Sequence, residues 1–195
     1  MIKTGFIHFL TLIVFIIGGL FNLSFAAGEL KTYSDKQSGY QIQYPVNGRI
    51  AATGENVRKG FYLDPLQPVV ELMNEGQFAN ARIDWSSVVK IAFPNKYLIM
   101  LVLNNVPANT PPPDSHPIKI GNYTFYQQHS WDAGMCHNYD YYTYFLEQNN
   151  RYYVFIFLIT KNCFANQNAA NSSAHFNINT QEFDNILRTV QLKKL

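Results

Sequence analysis

The stretch from Tyr139 to Thr160 constrains the fold most. Two runs rich in aromatic and β-branched residues, YDYYTYFLE (139–147) and RYYVFIFLIT (151–160), flank Gln148-Asn149-Asn150. Such residues favour strands, and Asn accepts the positive φ of a tight hairpin turn. The pattern therefore predicts a long antiparallel hairpin centred on Asn149-Asn150. In the returning strand Phe155, Phe157 and Ile159 alternate with Val154, Ile156 and Leu158. A sheet wetted on one side would alternate with polar residues, so both faces of this one are expected to be covered.

The same hairpin makes a prediction about the two cysteines. Cys136 precedes Asn149 by as many residues as Cys163 follows Asn150, so this register sets them opposite each other. Directly opposed residues have Cα atoms about 4.5–5.5 Å apart, within the reach of a disulfide. A Cys136–Cys163 bridge is expected, worth roughly 3–4 kcal/mol in the chain-entropy account. Neither a CxxC spacing nor a clustered ligand set recommends redox or metal chemistry for the pair.

Disulfides persist in oxidising compartments, and the start of the chain reads as an export address. Residues 1–26 carry a basic start at Lys3, an apolar run from Phe9 to Leu20, and small residues Ser24 and Ala26 ahead of a cut before Ala27. That is the layout of a secretory signal peptide. It leaves 27–195 as a single globular domain, periplasmic or extracellular, with no further membrane span. An uncleaved membrane anchor is the competing reading of the apolar run. Fifteen Lys and Arg against thirteen Asp and Glu give a formal charge of only +2. So slight an excess, without a basic stripe, argues against a nucleic-acid partner.

Elsewhere the chain reads as more strands and one closing helix. Tyr40, Ile42 and Tyr44 alternate with Gln41 and Gln43, after a polar turn at Ser34–Gly39 and before Pro45. Further apolar or alternating runs cover Val57–Leu63, Val69–Met73, Ala81–Trp85, Val88–Phe93 and Tyr97–Leu103. Pro94-Asn95 is expected to turn the chain, and Tyr123–Trp131 to lead toward the long hairpin. Phe183, Ile186 and Leu187 form a one-sided stripe at helical spacing within TQEFDNILR, with Asn179 or Thr180 as cap. Val190 and Leu192 follow as a short final strand. The expected class is α+β, an antiparallel sheet covered on both faces by helices and loops.

The opening YSDKQSGYQIQYP and the closing EFDNILRTVQL resemble the two ends of PsbP-like domains. Tyr33, Gly39, Tyr40, Tyr44 and Pro45 carry the resemblance at one end, and Phe183, Ile186, Leu187 and Thr189 at the other. Val46-Asn47-Gly48 stands where that family often has a tryptophan. The resemblance implies an α-β-α sandwich around an antiparallel sheet. It implies little about function, because one fold hosts many roles.

Site candidates are few. Val106–Pro117 packs five prolines, and Pro111-Pro112-Pro113 is the kind of stiff stretch that partners bind at low entropic cost, or else a rigid loop with no partner. His116 lies in the same connection. Tyr139, Tyr141 and Tyr152 offer an aromatic platform for a protein or a sugar ring, unless they are core under a covering helix, and Trp131 is a further partner-binding candidate. The segment 161–179, rich in Asn, Ser and Ala, is a second surface. His129 and Asp132 flank Trp131 and are a candidate for metal or acid–base chemistry. No HExxH, GxSxG, P-loop or GxGxxG is present. These readings converge on an exported, non-catalytic binding or accessory protein without a cofactor, acting on a protein or a surface glycan. The alternatives are a secreted hydrolase with a non-standard site and a glycan-binding wall protein.

Overall fold

In the computed structural model, residues 29–61, 63–94, 96–134, 137–162 and 180–193 are described. The chain divides into two units, Met1–Leu30 and Lys31–Leu195, and the described residues belong almost wholly to the second. The leader, both cysteines and most of 161–179 lie outside them. Among the described residues no helix is long and apolar enough to cross a membrane.

The long hairpin organises the larger sheet. Strands β8 (His137–Gln148) and β9 (Arg151–Asn162) pair from Gln148↔Arg151 to His137↔Asn162 without a slip. Asn149 and Asn150 both take positive φ, 55° and 57°, which a two-residue turn of matching twist requires. The register is the one expected from the sequence, and it runs to the last described pair before Cys136 and Cys163. Around this hairpin stand β3 (Arg49–Thr53), β4 (Arg82–Phe93), β5 (Lys96–Asn104), β6 (His116–Ile120) and β7 (Tyr123–Gly134). Their order is β3-β4-β5-β9-β8-β7-β6, with every adjacent pair antiparallel. Edge strand β6 carries Pro117 and Lys119, which make it a poor template for further pairing.

Both faces of this sheet are buried, but the covering layers correct the expected architecture. The chain is not an α-β-α sandwich with helices on both faces. One face is covered mainly by a second sheet, β1 (Leu30–Asp35), β2 (Tyr40–Pro45) and β10 (Gln191–Leu192), in the order β1-β2-β10. Two-residue alternation makes Tyr40, Ile42 and Tyr44 one buried side of a strand, and a strand brings a sheet as its cover. A single seven-residue helix joins it, called α2 here (Gln181–Leu187), whose Phe183, Ile186 and Leu187 enter the core. Phe183 stacks on Phe157 at 4.2 Å between centroids, and Phe125, Tyr144 and Phe155 add edge-to-face contacts. Each such contact contributes about 0.5–1.5 kcal/mol beyond its area.

The other face is covered by one eight-residue helix, α1 (Gln67–Asn74), and two 3-10 turns, Gly54–Arg58 and Gly76–Phe78. Leu66, Val69, Leu72, Val57 and Phe78 meet Val154, Ile156, Leu158, Tyr139 and Tyr141 there. Val69–Met73 is thus helical rather than extended. Pro68 sits in the first turn, where a missing N–H costs nothing, and Asp64 Oδ1 accepts the Leu66 N–H at 2.9 Å. Ala81–Trp85 and Val88–Phe93, two runs in the sequence, are one long strand with an irregularity between them. With ten strands against two short helices among the described residues, the fold is β-rich.

Candidate functional site

The irregularity in β4 builds the most distinctive surface. Asp84 lies opposite Val102 and Val89 opposite Met100, so five residue steps on β4 face two on β5. Ser87, fully buried, holds the bulge closed. Its hydroxyl accepts the Val102 N–H at 2.8 Å and donates to the Asp84 carbonyl at 2.7 Å, replacing the lost ladder bonds. Asp84 Oδ1 accepts the Ser86 N–H at 3.1 Å. Bulges re-aim side chains, and this one sets Trp85 beside the first 3-10 turn.

There the Arg58 guanidinium stands 5.0 Å from the centre of the Trp85 ring. Arg58 is itself held by both oxygens of Asp64, Nε to Oδ1 at 3.2 Å and Nη2 to Oδ2 at 3.1 Å. This two-point fork fixes its plane. The backbone on either side of Arg58 is pinned by Lys90, a lysine largely shielded from water. Its Nζ donates to the carbonyls of Val57 at 3.2 Å and Lys59 at 3.3 Å, under Phe61 at 4.5 Å and Tyr97 at 5.7 Å. Burial pulls the Lys90 pKa below the ordinary lysine value. Arg82, the first residue of β4, donates from Nη1 to the carbonyls of Ala79 and Ala81, each at 2.7 Å.

Together these groups enclose a groove of ≈ 450 Å³ between α1 and the start of β4. Ile83, Trp85, Val70 and Met73 form its apolar walls; Arg58, Arg82 and Asn74 are its polar lining. The volume suits a small molecule or one or two side chains. Among the described residues, what lines the groove is an apolar wall with two guanidinium groups and one amide, contacts suited to binding. Neither Arg58 nor Trp85 was singled out from the sequence. Only the bulge and the Lys90 anchor bring them together, and neither leaves a spacing signature.

The residues expected to bind are scattered. Tyr139, Tyr141 and Tyr152 are core, 2%, 1% and 0% exposed, so the expected aromatic platform does not exist as a surface. Strand β8 turns Tyr139 and Tyr141 under α1 and the loop before it, where the Tyr141 hydroxyl donates to the Asp64 carbonyl at 3.3 Å. Trp131 is 73% exposed on the opposite face, opposite Asp140 in register. In the proline connection Pro111 is exposed, Pro112 buried and Pro113 half-buried. That connection is bound down at several points. Tyr152 donates to the Thr110 carbonyl, Gln128 to the Pro113 carbonyl at 3.3 Å, and Glu147 accepts the Asn109 N–H at 2.8 Å. It offers no continuous proline face. His116 is exposed at the start of β6, with Nε2 3.1 Å from Gln127 Oε1. Cys136 and Cys163 lie outside the described residues.

Histidine and carboxylate do meet, but not as the sequence paired them. On β7, His129 and Trp131 share one face and Asp132 points to the other, where its Oδ1 accepts the Ala133 N–H. His129 instead approaches Asp140 of β8, Nε2 to Oδ1 at 3.4 Å, and stacks on Tyr142 at 4.4 Å. Cross-strand pairing supplied the partner. The pair stands on a wet strand surface, on the face away from the Trp85 groove. Among the described residues no group of three or more His, Cys, Asp or Glu is placed to hold a metal.

The architecture so defined is a seven-stranded antiparallel sheet backed by a three-stranded one. A solved structure from Bacteroides thetaiotaomicron shares it, with a TM-score of 0.51 at 10% identity. The match covers 84% of this chain and 48% of that one, so this chain spans about half the length of that relative. At such identity the likeness shows the fold alone. No family model and no curated protein matches the sequence, and the PsbP-like resemblance rests on the two chain ends alone.

Proposed function

We propose that this chain is an exported, non-catalytic binding module, periplasmic or extracellular, that acts on a protein partner. The observation that carries the reading is the lining of the Trp85 groove. Tryptophan, arginine and methionine are the residues enriched where proteins dock, and among the described residues no carboxylate or histidine lines the groove with them. Export draws on the layout of residues 1–26 and on the cysteine spacing. The observed β8–β9 register supports a Cys136–Cys163 bridge, because continuing it one step beyond His137↔Asn162 pairs 136 with 163.

A surface glycan is the second reading, favoured by Trp131, whose ring lies open to solvent as sugar-stacking aromatics do. A hydrolase would draw on His129 and Asp140, yet the His129 side chain is 46% exposed and water screens the pair.

Expression of the whole chain with its own leader in a bacterial host tests the proposal. The exported protein should begin at Ala27, titrate no free thiol after denaturation, and retain a partner protein without turning it over. A protein that begins at Met1 with two free thiols overturns export; turnover of a bound ester, peptide or glycan overturns the non-catalytic role.

A further inference from the structure

The Trp85 groove carries more than a generic docking surface, because its charge and its edge both select an occupant. Two guanidinium groups line it and, among the described residues, no carboxylate does. Asp64, the acid bonded to Arg58 among the described residues, is engaged by that fork. Among the described residues Arg82 has no acid partner; its Nη1 bonds are to backbone carbonyls. The Asp64 fork engages Nε and Nη2 of Arg58 and balances its charge, so the excess positive charge of the described lining is that of Arg82, set against apolar walls.

The strand beside it has one edge without a partner strand from Arg82 to Asp84, among the described residues; at Trp85 the 3-10 turn Gly54–Arg58 stands beside the strand. Strand β3 accompanies β4 only from Val89 to Ala92. From Arg82 to Asp84, β4 has β5 on one side and, among the described residues, no strand on the other. Ile83 and Trp85, two residues apart, both face the groove. An extended peptide laid along such an edge places alternate side chains on that same side, which is how strand-addition sites combine main-chain affinity with pocket specificity.

We infer that the groove takes an extended acidic segment of a partner protein, set beside the free edge of β4. A large apolar side chain of that segment packs against Trp85, Ile83 and Met73, and its carboxylates meet Arg58 and Arg82. The assignment rests on the binding reading above and names the partner's chemistry. Lysine in place of the carboxylate meets two arginines, so a basic twin of the same hydropathy is rejected.

The test titrates short synthetic peptides of alternating Glu and Leu, and their Lys-Leu twins, into the Trp131→Phe chain, with Trp85 as the fluorescent reporter. The Glu-Leu peptide should shift Trp85 emission and bind more weakly as salt rises. Titration by competition should find binding roughly tenfold or more weaker in Trp85→Ala and in Arg58→Gln, the loss usual for a central anchor. Arg58→Lys, which keeps the charge without the fork, should fall between. Circular dichroism confirms that each variant is folded. Equal binding of the acidic and basic twins, no binding of either, or an unchanged affinity in folded Arg58→Gln overturns the inference. Polygalacturonate bound at Trp85 with no peptide bound would overturn it too, while leaving a binding module. Turnover of a ligand would instead remove the reading it rests on.

Discussion

Raising the pH should unfold this protein through its tyrosines. The rings of Tyr40, Tyr141, Tyr144 and Tyr152 are at most 1% exposed. Burial is the main cause that lifts each phenol above the ordinary tyrosine value. Nearby acids add to it: Asp132 for Tyr141, Asp184 for Tyr144 and Glu147 for Tyr152, while Tyr33 and Asp35 reinforce Tyr40. A folded-state pKa above the unfolded one means that the native protein keeps protons that the unfolded chain releases. Stability is unaffected below the unfolded value and falls as pH rises beyond it. At one pH unit above about 10, each released phenol favours the unfolded chain by about 1.4 kcal/mol, and four together by roughly 6 kcal/mol. That is comparable to the whole stability of a typical domain, about 5–15 kcal/mol. Lys90 runs the other way: its lowered native pKa lets stability rise with pH, but that gain is complete by about 10.4. Urea midpoints measured just below and one unit above the ordinary tyrosine value give the difference. Tyrosinate absorbance followed alongside far-ultraviolet circular dichroism shows when the four phenols ionise. They should stay silent until the dichroism collapses, and Tyr152→Phe should flatten the loss by about a quarter. Four phenols ionising near the ordinary value in a folded chain, or an unmoved urea midpoint, would refute the reasoning.

Three further outcomes are expected. Ser87→Ala strands the Val102 N–H and the Asp84 carbonyl inside the bulge, and should cost roughly 1–3 kcal/mol in urea unfolding; because Trp85 depends on the bulge, its emission should shift as well. Gly48→Ala sets a Cβ 2.6 Å from Phe93 and 2.9 Å from Tyr44, so the melting temperature should drop by an amount matching roughly 1–3 kcal/mol of overpacking. Reducing the exported protein, or changing Cys136 to Ser, should lower stability by roughly 3–4 kcal/mol, and a Cys136→Ser chain as stable as the parent would argue against the bridge.

Much of the larger sheet was legible because its signals are local. The Asn149-Asn150 turn and its flanking runs set the β8–β9 register, and Phe183, Ile186 and Leu187 announced α2 by their spacing. Short or irregular elements were not. Val69–Met73 is too brief for period alone to separate helix from strand, and only the position of Pro68 hints at α1. Strands β3 (RIAAT) and β6 (HPIKI) are five-residue edge strands, the second interrupted by Pro117, and each is too short for its period to identify it. Tyr139, Tyr141 and Tyr152 fit surface or core by sequence, because only the packing of α1 and its neighbouring turns buries them.

From its residues alone this chain was bound to form a two-sided apolar hairpin, since alternation and turn chemistry act between near neighbours. Which layer covers each face was settled only by tertiary structure: the small sheet of β1, β2 and β10 on one side, and α1 with its 3-10 turns on the other. The groove belongs to that second kind of decision. Arg58, Lys90 and Trp85 meet because a bulge, a buried amine and an acidic fork act across long sequence separations, and such encounters leave no period in the sequence from which they could be read.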